Sequence, residues 1–519
     1  MASQTYHHNK KTGATYVYTV ESYWDKEKKA PRNKQVYIGK LDKQSGDIIP
    51  SQRKKKTVTQ GLLAGVSAET QVVGPAMLLD KLAKDTGLAG IVRRCFPRLY
   101  SEIMSLVYFI VQKGLPLSRS EAWSIRHLHP YGKMIVSQRI SELLLEISED
   151  DRQKFLALWM SKMAGNDYFC YDITSISSYS KENEYVRYGY NRDGEHLPQV
   201  NLAILFGQKS QLPAYYRRMP GNISDVATLR TTMKSMDFLG SSSVHFVLDR
   251  GFYSKENIDA ILARRHHFTL AVRTGLKWVE EAIDKHYESI ASPQNYQPIN
   301  DIEALYVVSN LIKWGDKRRR VYLHIYYNAK YAADEFDRFT RNLLKYKEEV
   351  ESGKRVKEHE ESYARFLVIK ETPKLGLSVS FNDEEVQKNR KRYVGFFCIL
   401  TSAIKDPMDA LTVYRTKESV ENSFNDLKNQ LDMKRLRIHS SAAMDSRIFI
   451  QFLALILISR IRNISKQDKV LKNFTVREIM EHMETLVKIK FSGRYGQLYT
   501  ETYPNQRKIM EVFDILLPT

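Results

Sequence analysis

The sequence predicts a multidomain α+β protein that binds a polyanion, and three observations carry that prediction. The first is size and charge. A chain of 519 residues suffices for two to four domains with substantial cores. Its 80 Lys plus Arg against 60 Asp plus Glu leave a formal net charge of +20, the electrostatic footprint of a polyanion binder. The second is a pair of short β-rich apolar runs that each end in an aspartate, Tyr168 to Asp172 and Val244 to Asp249. Runs of this kind read as strands buried on both faces. The third is a stretch without Pro or Gly, Tyr414 to Lys428, around which Val413, Val420, Phe424, Leu427 and Leu431 recur with helical period. Strands followed by a helix, without a dominant repeat, give an α/β core.

Taken in order, residues 1–56 are expected to be a β-rich basic segment. Tyr16–Trp24 and Lys34–Gly39 read as strands joined by a charged loop. The segment ends in Arg53-Lys54-Lys55-Lys56, which suits phosphate tracking and a solvated linker equally. Residues 57–165 read as a helical domain. Pro75 opens a periodic stretch through Leu88, Ser101–Val111 carries Ile103, Met104, Val107, Tyr108 and Ile110, and Ser120 and Ser137 read as N-caps. The helix from Ser137 to Leu144 either presents Gln138, Arg139 and Ser141 to a DNA groove or is an ordinary bundle helix, the reading we favour.

Residues 166–274 form the first part of the core. Gln199–Phe206 and Ala214–Met219 are candidate antiparallel strands, and a helix from about Asp225 to Phe238 precedes the strand ending at Asp249. From there to Glu421 is too far for one connection, so residues 275–388 are an insertion. Its strands Leu305–Asn310 and Arg320–Tyr327 flank a basic hairpin, Lys313 to Arg320, with a turn at Gly315-Asp316. A heavily charged helical arm, Tyr331–Lys357, follows. Residues 389–440 complete the core with the strand Tyr393–Thr401, expected to close the sheet, and then the helix. In the helical C-terminal region, 441–519, the apolar run Phe449–Ile458 between Arg447 and Arg460 is too short for a membrane span and reads as buried. Thr475-Val-Arg-Glu478 is a helix start. Cys95, Cys170 and Cys398 are spaced too widely for a zinc knuckle or a disulfide framework, which points to a reducing cytoplasm. With no apolar run after Met1, no signal peptide is expected.

The chemistry concentrates on the 414–428 stretch. If it is one helix, Tyr414, Lys417, Glu421, Asn425 and Lys428 share an arc of about 80°, a carboxylate flanked by a phenol and two ammonium groups. That stripe fits a solvated helix edge with ion pairs as well as a site. The two strand-end aspartates tip the balance, because a carboxylate there is costly unless paired or holding a metal. Asp172, Asp249 and Glu421 together would form a three-carboxylate cup, the oxygen donor set of magnesium or manganese.

With these residues in view the sequence resembles the DDE transposases of bacterial insertion sequences. It is closest in pattern to the insertion-sequence-four-like group, whose third acid lies in a Tyr-x2-Arg-x3-Glu-x6-Lys signature. Tyr414, Glu421 and Lys428 keep that spacing, while Lys417 stands at the Arg position and Arg415 lies two positions out of register. A Lys supplies charge but not a bidentate fork. The likeness continues through Asp172-Ile-Thr-Ser-Ile-Ser-Ser-Tyr, the stretch Gly189 to Gln199, Pro220-Gly-Asn-Ile-Ser-Asp225 and Leu248-Asp-Arg-Gly-Phe-Tyr-Ser254. It spans about Gly165 to Ala454.

The resemblance implies a ribonuclease-H-like core interrupted by the insertion, with recognition of the transposon end in the helical domain before it. It implies catalysis by Asp172, Asp249 and Glu421 with two Mg2+ or Mn2+ ions, about 4 Å apart in such sites. Water would cut at a transposon-end inverted repeat and the freed 3′-hydroxyl would attack target DNA, both ends being held in a homodimer. Tyr414, Lys417, Lys428 and Arg250 are the expected phosphate contacts, Arg250 serving equally as a structural ion pair. In the basic hairpin Trp314, Arg318, Arg319 and Arg320 are candidates for an unstacked base and its phosphates. Trp278 competes with Trp314, and a core position is open to both. The expected partner is double-stranded DNA in a nucleoid-associated, cytoplasmic setting, with no membrane and no small-molecule substrate. Two other readings stand beside it, a DNA-binding repressor or domesticated transposase without catalysis, and a metal-dependent nuclease without strand transfer.

Overall fold

A computed structural model describes residues 3–25, 29–43, 45–50, 68–163, 167–180, 183–191, 194–238, 243–300, 303–372, 376–389, 393–429, 431, 435–436, 440–491 and 496–516. Arg53 to Lys56 lie outside them. The chain divides into two compact units, Met1–Ala68 with Phe491–Gly496, and Glu69–Lys490 with Gln497–Thr519.

The first unit is built on a four-strand antiparallel meander, Ser3–Asn9, Ala14–Asp25, Ala30–Leu41 and Ile48–Pro50. The period-2 pattern of its sequence therefore forms strands, longer than the expected ones because the pairing continues to Asp25 opposite Ala30.

The second unit is a mixed α/β body around one large sheet. Its strand order is Tyr296–Pro298, Ala304–Trp314, Arg319–Tyr327, Phe396–Thr401, His267–Val272, His245–Leu248, Tyr168–Ser178, Gln199–Gly207 and Pro213–Pro220, with Arg435–Leu436 beside the end of Tyr168–Ser178. The Tyr168–Ser178 strand lies inside the sheet, third from one edge. It runs parallel to His245–Leu248 and antiparallel to Gln199–Gly207. Every residue of Gln199–Gly207 is buried, which is why its Val, Leu, Ile and Phe form a continuous run instead of alternating. The helix Asp225–Phe238 connects the outer antiparallel strand to His245–Leu248, at the limits its periodicity predicts.

Two expectations about the sheet change. The strand Phe396–Thr401 does not close it; it lies inside, antiparallel both to His267–Val272 and to Arg319–Tyr327. The hairpin strands of the insertion thus extend the core sheet by pairing, because an apolar strand with an open edge recruits the next one. The charged helix Ala329–Glu351 does more than project into solvent. With the helix Glu360–Phe366 and the hairpin Leu367–Thr372/Gly376–Phe381 it builds a small separate core from Val350, Tyr363, Leu367 and Val379.

The helical stretch packs Gly74–Asp85, Leu88–Cys95, Tyr100–Lys113 and Glu149–Met163 into the same core as the sheet. Trp159 Nε1 donates to the carbonyl of Pro213 at 2.8 Å, fixing a helix to the outer strand. Ser120 and Ser137 are not N-caps. The cap positions fall on Arg119 and Val136, without a side-chain bond to the helix. Arg139 does not face a groove either. It forks onto Glu102 at 2.7 and 2.9 Å and also binds Glu146, so the Ser137–Glu146 helix is a bundle helix.

The run Phe449–Ile458 sits inside a 27-residue helix, Ser441–Gln467. That helix is long and apolar enough to cross a membrane by length and composition alone, yet it is largely buried in this fold. Its Phe449 stacks edge-on to Phe155 and lies against Phe96, and Phe452 packs on Tyr216 of the outer strand. The capping box at Thr475 and Glu478 forms as its sequence predicts.

Candidate active site

The parallel register sets Tyr171 beside Leu248, so the next residues, Asp172 and Asp249, lie side by side. Asp249 follows the end of its strand, whereas Asp172 sits within one that runs on to Ser178. The expected strand end at Asp172 is thereby corrected, because the polar residues after it still pair with Gln199–Gly207. Asp172 Oδ1 accepts from the N–H of Ile173 and Asp249 Oδ1 from that of Arg250, each at 2.8 Å. Both carboxylates are half-buried.

The third acid comes from a stretch that is not one helix. Tyr414 ends the helix Pro407–Arg415, Thr416 and Lys417 form a turn, and a second helix runs Glu418–Asn429. No Pro or Gly marks the break. The first helix is started firmly, with Asp406 accepting from the N–H groups of Met408 and Asp409 and Pro407 in its first turn. It is stopped by the hydroxyl of Thr416, which takes the Val413 carbonyl at 2.6 Å, while Lys417 N–H bonds the Tyr414 carbonyl at 3.2 Å. The single stripe from Tyr414 to Lys428 is therefore corrected; tertiary bonding, to which helical periodicity is blind, brings those residues together.

They do come together. Tyr414 donates its hydroxyl to Asp249 Oδ1 at 3.1 Å. Lys417 Nζ lies 3.2 Å from the same oxygen and 3.7 Å from Glu421 Oε1. A phenol and an ammonium thus tie the first helix and the turn to the strand-end aspartate, and the ammonium alone links both acids. Burial by itself would push the Asp249 carboxyl up. The charge of Lys417, with the Arg250 N–H and the Tyr414 hydroxyl, outweighs it and holds the carboxyl below the usual range. Burial, reinforced by the Asp249 charge, pushes the Tyr414 phenol well up, so it remains a donor.

Lys417 thus neutralises the acids, a role the signature spacing does not reveal. Among the described residues no group of three or more His, Cys, Asp or Glu is drawn close enough to hold a metal, so the tight three-acid cup is absent from this arrangement. The donor chemistry still fits a hard divalent cation, since Asp172, Asp249 and Glu421 offer only carboxylate oxygens, and the Asp249–Glu421 pair already holds one positive charge between them.

The remaining candidates divide. Arg250 is exposed next to Asp249, and Lys428 sits in the last turn of the Glu421 helix. Arg415 is turned away, to Glu303 at 3.1 Å. In the hairpin, Trp314 and Arg319 are held back. Trp314 Nε1 donates to Asp259 at 2.8 Å and its ring meets Trp278 edge-on, while Arg319 binds the carbonyl of Leu262. Trp278 in turn donates to Tyr253 at 3.0 Å. Arg318 and Arg320 are exposed, Arg318 at φ 47° in the tight turn.

Sequence reasoning missed the support beneath the site. Gln199 Nε2 reaches the carbonyls of Tyr190 and Gly221 at 2.9 and 3.1 Å, and Asn201 Nδ2 reaches those of Gly221 and Ile223 at 3.3 Å. Gly189 and Gly221 approach so closely that a Cβ on either would lie about 2 Å from a backbone oxygen. The motif stretches 189–199 and 220–225 are therefore one hydrogen-bonded junction beside the Asp172 strand.

The family profile described as Transposase DDE domain matches residues 164–457, more than half of the chain. No curated protein matches. Among solved structures, a piggyBac transposase determined by cryo-EM in a synaptic complex with hairpin DNA aligns over 79% of this chain and 77% of its own, at 10% identity and a TM-score of 0.37.

Proposed function

We infer the reaction from one premise: the chain belongs to the transposase DDE domain family and is a DNA transposase. On that premise we read Asp172, Asp249 and Glu421 as the catalytic acids, and the enzyme as one that binds the inverted repeats at transposon ends, cuts there and joins the 3′-hydroxyl to target DNA. The observation that carries the reading is the convergence of Tyr414 and Lys417 on Asp249, beside Asp172, with Lys417 also reaching Glu421. These are the acids and three of the four signature positions, brought in from three separate elements.

DDE transposases generally use divalent metals. Asp172, Asp249 and Glu421 would hold two Mg2+ or Mn2+ ions, which supply charge stabilisation for both the entering and the leaving oxygen of an in-line displacement. The chain's own groups do the rest. Tyr414 orients the Asp249 carboxylate and keeps its proton while doing so. Lys417, Lys428 and Arg250 gather positive charge where a backbone phosphate must come. Lys417 has a second task, holding Asp249 and Glu421 together until other cations arrive.

The Tyr168–Ser178 strand, parallel to His245–Leu248 and antiparallel to Gln199–Gly207, supports the reading of a ribonuclease-H-like core, and the spacing of Tyr414, Glu421 and Lys428 supports the insertion-sequence-four-like group. We keep residues 57–165 as the segment for end recognition and 275–388 as the insertion, and assign strand transfer to a dimer that bridges two ends. Asp172→Asn, Asp249→Asn and Glu421→Gln should each lower cleavage of a labelled end duplex in magnesium by at least about 100-fold. Binding of the same duplex should stay within about threefold of wild type, since shape is retained. Near-normal cleavage by any one of them removes that residue from the reading.

A further inference from the structure

At the free edge of the large sheet, away from the carboxylates, the outer strand Pro213–Pro220, the helix Glu149–Met163 and the helix Ser441–Gln467 enclose a polar cavity of about 200 Å³. Its wall carries three guanidinium groups, Arg152, Arg217 and Arg218, against two carboxylates, Glu149 and Asp445. Arg218 forks onto Asp445 through Nε and Nη2, and its guanidinium carbon lies over the Tyr185 ring, 3.6 Å from the centroid. Arg152 binds Glu149 and reaches Ser446 at 3.2 Å. Two of the three cations therefore have anionic partners in contact. Among the described residues two donors lack an acceptor: Arg218 Nη1, on a side chain only 9% exposed, and Arg217 Nε.

A buried guanidinium nitrogen without an acceptor is costly, and a net positive, half-open cavity offers a direct remedy. We propose that this cavity is a binding site for a phosphoryl oxyanion, with Arg217 and Arg218 as its principal donors. A tetrahedral oxyanion presents acceptors in several directions at once and matches the planar fork of an arginine. Neutral ligands leave the excess charge unbalanced, and the Asp445 fork with the Tyr185 ring contact positions Arg218 before the ligand arrives. Asp172, Ile204 and Tyr216 are register partners across three strands. Two inter-strand spacings place the backbone of the cavity strand about 10 Å from that of Asp172. The oxyanion could thus be a free phosphate or a backbone phosphate of DNA.

Full-length protein titrated calorimetrically with inorganic phosphate, at constant ionic strength, should show saturable binding to one site. Arg217→Gln, which leaves the Arg218–Asp445 fork in place, should weaken it at least tenfold, and Arg217→Lys should recover part of the loss. Circular dichroism checks that the variants are folded. To separate the two sources, duplex binding is measured with and without saturating phosphate against a chloride control of equal ionic strength. Competition in wild type but not in Arg217→Gln assigns the site to DNA; unchanged duplex affinity assigns it to free phosphate. Absence of saturable phosphate binding, or equal binding in Arg217→Gln, overturns the proposal. The phosphate titration does not depend on Asp172, Asp249 or Glu421, so its failure and that of the catalytic reading are distinguishable.

Discussion

Asp249 is where the local chemistry meets. Desolvation acts against its charge, and Lys417, the Arg250 N–H and Tyr414 act for it, with the second group prevailing. A carboxyl depressed in the fold contributes stability above its unfolded value, near pH 4, and that contribution is lost as pH falls through the lower folded value. Tyr414→Phe removes one of the three opposing effects, so the Asp249 titration should move up toward the ordinary range. Carboxyl-carbon NMR of wild type and variant across pH 2 to about 6 reads this directly; an unmoved midpoint would detach Tyr414 from the pair. Cys170 sits on the neighbouring Tyr168–Ser178 strand with its thiol 3.9 Å from the Thr416 hydroxyl, and burial pushes it up to about 12. It is inert packing at the turn, not a nucleophile.

At the scale of elements, the helix carrying Glu421 is anchored from behind. Asp426, 2% exposed, accepts from Arg462 on the long Ser441–Gln467 helix. Burial raises its carboxyl to about 6 although Arg462 pulls the other way. A raised carboxyl stabilises the fold fully below its unfolded value and loses that contribution as pH climbs through about 6. The difference in unfolding temperature between wild type and Asp426→Asn should therefore shrink from about pH 4 to about 6. Thermal melts across that window test it, and a constant difference would exclude Asp426 as the titrating group.

The basic hairpin is a second element whose role the tertiary bonds redefine. Trp314 and Arg319 pin it to Asp259 and Leu262, which leaves Lys317, Arg318 and Arg320 among its exposed charges. If these lie on DNA, neutralising all three should flatten the log–log salt dependence of duplex binding by up to about 2.7, at about 0.9 per phosphate contact. Binding measured over a salt series gives the slope, and an unchanged slope would leave the hairpin in solvent. Arg319→Gln should instead lower the melting temperature, because it unties the hairpin.

For the whole molecule the decisive feature is the buried Ser441–Gln467 helix, which joins the helical layer to the sheet. Phe449, 0% exposed between Phe96 and Phe155, is enclosed by its own chain. Phe449→Ala should cost about 3–5 kcal/mol of stability by leaving a cavity, seen as a lower denaturant midpoint, with no change in oligomeric state. The run Phe449–Ile458 is enclosed by its own chain, so the dimer we propose must use another surface. A net charge of +20 opposes self-association of the free chain. Light scattering should find monomers alone and a two-protein complex once paired end duplexes are added. One protein per duplex performing concerted two-end joining would contradict that.

The sequence by itself determined the elements whose cause is local or repetitive. The strand read as ending at Asp172 runs on to Ser178 through its pairing with Gln199–Gly207, whereas the buried strand ending before Asp249, the helix Asp225–Phe238 and the capping box at Thr475 all follow from apolar period and short-range bonding and form as read. So did the family, through the spacing of Tyr414, Glu421 and Lys428 with the motifs around both aspartates. Only the tertiary structure decided where the 414–428 stretch breaks, because the Thr416 hydroxyl and the Tyr414–Asp249 bond act across elements and leave no periodic trace. It alone made Lys417 the counter-charge of two acids, paired the insertion hairpin with the core sheet, and turned Trp314 and Arg319 inward. Each depends on which distant group arrives within about 3 Å to satisfy a buried donor or charge, and no local pattern of residue types encodes that choice.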